Sequence, residues 1–161
     1  MASHYDAIII GAGSVGSPAA FSLAQAGLRT LVIDQMPSVG QGSNKTAIGG
    51  IRATHSDPAK IRLGLRSIEV FASWKEFYGD EIEWHRGGYS FVAYGGREAR
   101  ILKELLQVQH SYGLNIHWLD GQELLEVIPD LNRNDLIGGT YSPDDGNASP
   151  LLAIHAFYSR A

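Results

Sequence analysis

One segment, Tyr5 to Gln35, most constrains what this chain can fold into, because it has the pattern of a strand, a glycine-rich turn, a helix and a second strand. The sequence of the turn is Gly11-Ala12-Gly13-Ser14-Val15-Gly16. Its glycines allow a tight turn, let main-chain N–H groups approach a pyrophosphate, and let the helix pack close to the strand. The second strand ends at Asp34, where a carboxylate can accept hydrogen bonds from a ribose. The segment therefore predicts a dinucleotide site at the start of the helix.

The glycine-rich turn is weak evidence by itself, since an ordinary strand–helix–strand unit can carry such a turn by chance. Here the flanking elements are complete, because the helical pattern ends at Gly27 and a strand that ends in an acid follows. The fingerprint permits either FAD or NAD. Pro18 fits poorly, because it lies just past the first expected helical turn and costs a hydrogen bond unless the helix begins late.

The composition is that of one ordinary globular core, with 161 residues and 44% hydrophobic side chains. The absence of cysteine excludes a disulfide framework and a thiolate metal site or nucleophile. With a net charge of −4 and no basic stripe, no nucleic-acid partner is expected. No apolar run exceeds strand length, so no membrane span is expected. Residues Met1 to His4 carry no signal segment, which predicts a cytoplasmic protein.

The segment from Gln35 to Ser56 is rich in glycine, serine and threonine and lacks apolar periodicity. Loops of this length in a compact domain are usually functional or disordered. Small residues and hydroxyl groups suit close approach to a phosphate or ribose, and the guanidinium of Arg52 closes the run. The segment is interpreted as a loop that wraps a ligand, and the alternative is a flexible surface loop.

Helices and short strands alternate in the rest of the chain. Asp57 and Pro58 predict the start of a long helix, and Glu123 completes a capping box with Asp120 at the start of a short one. Ser149-Pro150 predicts the start of the last helix. The apolar residues that predict one buried face on the long helix are Ile61, Leu65, Ile68, Phe71, Ala72 and Phe77. Strands are predicted at 82–86, 89–94, 115–119 and 136–141, with a hairpin turn at Gly87-Gly88 and a helix at 96–112.

Four separated motifs together resemble the N-terminal part of the D-amino-acid oxidase superfamily of FAD-dependent oxidoreductases. They are the turn with its acid, the loop from Ser43 to Arg52, Arg86-Gly87-Gly88-Tyr89, and Ser142-Pro143-Asp144-Asp145-Gly146 followed by Ser149-Pro150. The branch that the chain resembles contains glycine oxidase and the β subunits of sarcosine oxidase and dye-linked L-proline dehydrogenase. The resemblance runs along essentially the whole chain.

This resemblance implies an α/β fold: a Rossmann-like FAD-binding βαβ unit with the beginning of an α+β substrate domain, truncated because such enzymes continue further. The implied limits are 1–80 and 143–161 for the FAD-binding domain and 81–142 for the substrate domain. The resemblance also implies oxidation of the C–N bond of a small amino or imino acid by hydride transfer to the flavin. The alternatives are an NAD-dependent dehydrogenase and a non-catalytic fragment that acts only with a partner chain. A homo- or hetero-oligomer is compatible with each of these three functions.

The residues implied to bind FAD are Gly11, Ala12, Gly13, Ser14, Val15, Gly16, Asp34, Gln35, Gly42, Ser43, Lys45, Thr46, Gly49, Gly50 and Ile51. Arg52 occupies the position of an arginine that faces the substrate in sarcosine-oxidase-like proteins, and the alternative is an arginine bound to phosphate or to a surface carboxylate. Some relatives attach flavin through histidine, but a lone loop histidine such as His55 is more often solvated. The remaining histidines have no metal-ligand spacing, so no metal is predicted.

Overall fold

The structure is a computed structural model that describes residues 4–161. Residues 1–3, on which the expected absence of a signal segment partly rests, lie outside the described residues. The elements in chain order are β1 (Ala7–Ile10), α1 (Gly16–Gln25), β2 (Thr30–Ile33), a 3-10 helix (Ser43–Thr46), β3 (Gly50–Ile51), α2 (Pro58–Tyr78), β4 (Tyr89–Ala93), α3 (Gly96–Ser111), β5 (His117–Asp120), α4 (Gly121–Val127), β6 (Gly138–Ser142), β7 (Gly146–Asn147) and α5 (Pro150–Ser159).

The chain forms two compact units. The first comprises Met1–Gly50, Trp74–Trp84 and Ala148–Ala161, and the second comprises Ile51–Ser73 and His85–Asn147. The predicted domain limits stay a prediction, because these units describe only how the backbone clusters.

The first unit contains the strand–turn–helix–strand segment. Strands β1 and β2 pair in parallel, with Ala7 opposite Thr30 and Ile10 opposite Ile33. Helix α1 joins them, as the crossover of a parallel pair requires. Because α1 begins only at Gly16, Pro18 falls in the first turn, where backbone N–H groups have no partner within the helix. The proline therefore costs no helical hydrogen bond.

The core of the first unit is an aromatic cluster. The Trp74 ring is 1% exposed and lies with its centroid 4.4 Å from that of Phe157 and 4.5 Å from that of Tyr78. Phe21 of α1 packs against all three rings at centroid distances of 5.4–5.6 Å. Tilted and edge-on ring pairs of this kind add to the stabilisation from burial. The cluster joins α1, α5 and the end of α2 into one core.

The second unit is built on an antiparallel sheet in the order β4-β6-β5. Phe91 and Trp118 both lie opposite Thr140 of the central strand β6. Helix α4 starts with the predicted capping box: the Asp120 carboxylate accepts from the Glu123 N–H at 2.9 Å, and the Glu123 carboxylate accepts from the Asp120 N–H at 2.8 Å. Asp57 caps α2 by accepting from the Lys60 N–H at 3.0 Å, which confirms that predicted start as well.

Two local predictions are wrong. The predicted strand at 82–86 is absent, because Glu83 adopts a positive φ of 55° that interrupts the extended backbone, and only His85 forms an isolated bridge, to Asn147. Strand β4 therefore pairs with β6 and not with a preceding hairpin strand. On α2, two residues predicted for the buried face are exposed, Ala72 and Phe77, the latter to 72%, and the buried position in that turn is Trp74.

Candidate functional site

The glycine-rich turn between β1 and α1 has a backbone that requires glycine at two positions and leaves open space at a third. Gly11 has a φ of 102°, and a Cβ at Gly16 would lie 1.8 Å from the Gly11 carbonyl oxygen, so both positions demand glycine. A Cβ at Gly13 would meet nothing within 4 Å. The space beside Gly13 is therefore open to a ligand, and any side chain there would fill it.

The start of α1 is not capped by a side chain. Val15 occupies the N-cap position, makes no side-chain hydrogen bond to the helix and is 81% exposed. The first main-chain N–H groups of a helix need partners, and the helix dipole favours an anion there. An exposed helix start that follows an open glycine turn suits the pyrophosphate of a dinucleotide.

The carboxylate at the end of β2 is tied to this turn. Asp34 Oδ2 accepts a hydrogen bond from the Ala12 N–H at 2.6 Å, and Oδ1 accepts from the Met36 N–H at 2.7 Å. These backbone donors, first Ala12 and then Met36, hold the pKa of Asp34 below its ordinary value. Asp34 is exposed and ionised, and each oxygen keeps further acceptor capacity for a ribose hydroxyl.

The loop after β2 is anchored to the first unit at three points. The Gly40 N–H donates to the Ala12 carbonyl at 2.9 Å, Asn44 Nδ2 donates to the Pro150 carbonyl at 2.9 Å, and the Ala148 N–H donates to the Gly49 carbonyl at 3.1 Å. The interpretation of the segment as a flexible loop is therefore not supported by its hydrogen bonding.

Most of the predicted ligand-binding residues of this loop lie on its surface. Gln35, Gly42, Ser43, Lys45 and Thr46 are all exposed, and the last three belong to the 3-10 helix. Thr46 Oγ1 donates to the Ser43 carbonyl at 2.9 Å. The structure thus holds the backbone of the loop and leaves most of its polar side chains open to a ligand.

Arg52 lies in the second unit on an aromatic platform, defined as the rings of Tyr89 and Phe91. Its guanidinium carbon is 5.1 Å from the Tyr89 ring centroid and 5.2 Å from that of Phe91. Nη1 donates a hydrogen bond to the Thr54 carbonyl. Within residues 4–161, no carboxylate lies within ion-pair distance of Arg52. This excludes a surface carboxylate in that part of the chain as its partner.

His55 is a half-buried neighbour of Arg52 in the same loop. Desolvation and then the positive charges of Arg52 and Lys60 hold the pKa of His55 below its ordinary value, against an opposing effect of Asp145. The imidazole is therefore neutral at neutral pH.

Two residues for which no role was predicted from the sequence hold the Arg52 loop. The carboxylate of Asp145, 1% exposed, accepts hydrogen bonds from two of its residues. Gln109 of α3 donates from Nε2 to the His55 carbonyl at 3.1 Å. The Asp-Gly turn that contains Asp145 is a recognisable signal in the sequence, but the partners of Asp145 are more than 90 positions away along the chain.

Two kinds of feature are absent from residues 4–161. Among residues 4–161, no group of three or more His, Asp or Glu side chains is placed to hold a metal ion. In the same residues, no helix is both long enough and apolar enough to cross a lipid bilayer.

Comparison with known proteins agrees with this geometry. The family described as FAD dependent oxidoreductase matches residues 6–161. Monomeric sarcosine oxidase from Bacillus sp. (strain B-0618) is 26% identical over 148 residues, which cover 91% of this chain and 37% of that protein. N-methyl-L-tryptophan oxidase from Salmonella typhi is 31% identical over 154 residues, or 93% of this chain and 40% of that protein. The chain thus spans about two fifths of the length of these relatives.

Solved structures show the same fold. L-proline dehydrogenase from P. horikoshii superposes with a TM-score of 0.92 and 29% identity, over 99% of this chain and 42% of that one. Glycine oxidase from Bacillus cereus gives a TM-score of 0.79 with 26% identity, over 98% of this chain and 43% of that one. The resemblance predicted from four motifs and the mixed α/β fold are confirmed, and the cofactor is FAD. The chain belongs to the family of FAD-dependent oxidoreductases.

Proposed function

We propose that this chain supplies the FAD-binding segment and a substrate-binding arginine of an enzyme that oxidises the C–N bond of a small amino or imino acid. The observation that carries the proposal is the guanidinium of Arg52, which is stacked and hydrogen-bonded but has no carboxylate partner within residues 4–161. The relatives named for sarcosine, N-methyl-L-tryptophan and L-proline support the substrate class, because each of these compounds has a secondary amine next to a carboxylate.

In this proposal the cofactor is held by the glycine-rich turn, by Asp34 and by the loop that ends at Ile51. The main-chain N–H groups of the turn from Gly11 to Gly16 bind the pyrophosphate, and Asp34 accepts hydrogen bonds from the adenosine ribose. The exposed groups of Gln35, Gly42, Ser43, Lys45 and Thr46, with the backbone at Gly49, Gly50 and Ile51, complete the binding segment. Lys45 offsets phosphate charge.

Arg52 binds the substrate carboxylate. The aromatic platform covers a face of the guanidinium, so the remaining N–H donors point outward in its plane, where a carboxylate can accept two of them. Such a contact places the amine and the adjacent carbon reproducibly, which is the main requirement of the protein in this chemistry. Bound FAD supplies the acceptor for the two electrons that the C–N bond loses.

The test uses the full-length protein reconstituted with FAD. L-proline and pyrrolidine differ by the carboxylate alone, so anaerobic bleaching of the flavin absorbance by each reports the contribution of that group. We expect rapid bleaching by L-proline, sarcosine or another amino acid and much slower bleaching by the matched amine. Arg52→Met should lower the apparent affinity for the amino acid roughly 100-fold, and Arg52→Lys should lower it less.

Three results would contradict the proposal. If pyrrolidine reduced the flavin as well as L-proline did, or if Arg52→Met left the affinity unchanged, Arg52 would not be a carboxylate anchor. If no amine reduced the flavin of a protein that had taken up FAD, the C–N substrate class would be wrong. Tight NADH binding without flavin uptake would favour the nicotinamide alternative.

A further inference from the structure

Both oxygens of the Asp145 carboxylate accept hydrogen bonds from one loop of the second unit. Asp145 is 1% exposed and lies in the turn between β6 and β7. Its Oδ1 accepts from the Ala53 N–H at 2.9 Å, and its Oδ2 accepts from Thr54 Oγ1 at 2.5 Å. Ala53 is 0% and Thr54 3% exposed, so water does not compete for these bonds. A buried carboxylate thus joins two consecutive residues directly after Arg52.

Thr54 connects the Asp145 carboxylate to the guanidinium of Arg52. Arg52 Nη1 donates to the Thr54 carbonyl, and that carbonyl belongs to the residue whose hydroxyl Asp145 holds. A charge-assisted hydrogen bond to a carbonyl of set position restricts the rotation of the guanidinium. The direction of Arg52 therefore depends on the Asp145–Thr54 bond.

The same residue also anchors the strand that carries the aromatic platform. The main-chain oxygen of Asp145 accepts from the Gly88 N–H at 2.8 Å, directly before Tyr89 at the start of β4. Gly88 has a φ of 76°. The side chain of Asp145 thus holds the loop of Arg52, and its backbone holds Gly88, which directly precedes the strand of the aromatic platform.

Helices α2 and α3 also contact the loop that carries Arg52. A Cβ at Gly64 of α2 would lie 2.6 Å from both the Ala53 Cα and the Arg52 carbonyl oxygen, so helix and loop are in close backbone contact. Gln109, 3% exposed, holds the His55 carbonyl from α3. These contacts restrain the backbone on both sides of Thr54 in the sequence, and the hydroxyl–carboxylate bond restrains Thr54 itself.

We propose that Asp145 is a positioning residue for Arg52: through Thr54, its buried carboxylate sets the direction in which the guanidinium presents its free N–H groups. The consequence for catalysis rests on the proposed function, in which those groups bind a substrate carboxylate. The positioning itself is a property of the second unit and can be measured without turnover. Preorganised donors bind an anion without losing further side-chain entropy, so the arrangement should raise the affinity for the anion.

The first experiment measures the rate at which phenylglyoxal modifies Arg52, followed by mass spectrometry of the full-length protein. Thr54→Val keeps the shape of the side chain but removes the donor, so Arg52 should be released and react several-fold faster. Thr54→Ser keeps the hydroxyl and should react at close to the wild-type rate. Asp145→Asn, of equal size, should also raise the rate, since the amide cannot accept from both neighbours.

The matched control is Asp144→Ala. Asp144 is next in sequence and contacts Arg86 and Asn115 at its more exposed side chain, so its loss should leave the Arg52 rate unchanged. Arg100, an exposed arginine of α3, serves as an internal reference in every sample. An unchanged Arg52 rate in folded Thr54→Val or Asp145→Asn protein would overturn the proposal. An equal increase of the Arg52 modification rate in Asp144→Ala would overturn it as well.

The second experiment separates positioning from the proposed function. In the reconstituted holoenzyme, Thr54→Val should raise KM for L-proline roughly tenfold, with a smaller change in kcat and no change in the reaction of pyrrolidine. An equal loss of kcat/KM for L-proline and for pyrrolidine would contradict the positioning role. If the wild type does not discriminate between L-proline and pyrrolidine, the proposed function fails, and the labelling rates still decide whether Asp145 positions Arg52.

Discussion

The backbone N–H of Ala12 donates to Oδ2 of Asp34 over 2.6 Å and joins two residues that are 22 positions apart in the chain. This bond places the acid of the second strand directly against the glycine-rich turn. The two predicted parts of a dinucleotide site are thus joined by a hydrogen bond within the protein.

Asp34→Asn is expected to weaken FAD binding by roughly tenfold, because a neutral amide is a poorer acceptor for ribose hydroxyl groups than a carboxylate. The affinity can be measured by quenching of flavin fluorescence during titration. Asp6→Asn is a suitable control, because Asp6 also accepts from a backbone N–H, that of Arg29, but lies directly before β1, whereas the glycine-rich turn follows that strand. Equal affinities for the Asp34→Asn and wild-type proteins would exclude Asp34 as a ribose ligand.

Two glycines of the turn should respond differently to alanine. At Gly16, a Cβ would lie 1.8 Å from the Gly11 carbonyl oxygen, so Gly16→Ala should destabilise the fold by about 1–3 kcal/mol or more. At Gly13, a Cβ meets nothing within 4 Å, so Gly13→Ala should keep its melting temperature and still bind FAD at least about tenfold more weakly. Thermal unfolding and FAD titration of both variants test this. Unchanged FAD affinity in Gly13→Ala would place the pyrophosphate elsewhere.

Trp74→Ala is expected to destabilise the chain by about 3–5 kcal/mol, because it removes a fully buried ring from the aromatic cluster. Phe77→Ala on the same helix removes a ring that is 72% exposed and should change the free energy of unfolding by no more than about 0.5 kcal/mol. Urea denaturation gives both values. Similar losses for the two variants would mean that the end of α2 is buried differently.

The pair formed by Asp80 and Arg160 predicts a pH dependence of stability. Hydrogen bonds from Arg160, at 2.6 and 3.0 Å, and a weaker one from Trp74 hold the pKa of Asp80 below its ordinary value. Because the unfolded state binds a proton more readily, this contribution is complete above the ordinary carboxylate pKa and is lost as the pH falls through the lowered folded pKa. Melting temperatures measured from pH 6 downward should fall less steeply for Asp80→Asn than for the wild type, and parallel curves would contradict this.

His55 offers a direct probe of the charge on its neighbour. Desolvation is the larger cause of its lowered pKa, and the charge of Arg52 is the next. Arg52→Gln should therefore raise the pKa of His55 toward its ordinary value, without reaching it. An NMR titration of the imidazole protons measures this shift, and Lys60→Gln should give a smaller shift in the same direction. A lower pKa in Arg52→Gln would contradict the assigned cause.

Local interactions made much of this structure predictable from the sequence. The turn at Gly11 to Gly16, the capping box of Asp120 and Glu123, and the N-cap at Asp57 each depend on residues a few positions apart. Their geometry follows from spacing and residue type alone. The family resemblance could be recognised because four such motifs occur in order.

Only the tertiary structure decided which distant groups meet. It paired β4 with β6, placed Trp74 and not Phe77 in the core, and brought Asp145 to Thr54 across 91 positions. Hydrophobic periodicity shows which face of an element is buried but not against what, and a buried carboxylate has the same sequence signature as an exposed one. The amino-acid sequence by itself therefore determined the glycine-rich turn and the acid that follows it, whereas the support behind Arg52 arose from long-range packing, because its partners are set by the fold and not by their spacing along the chain.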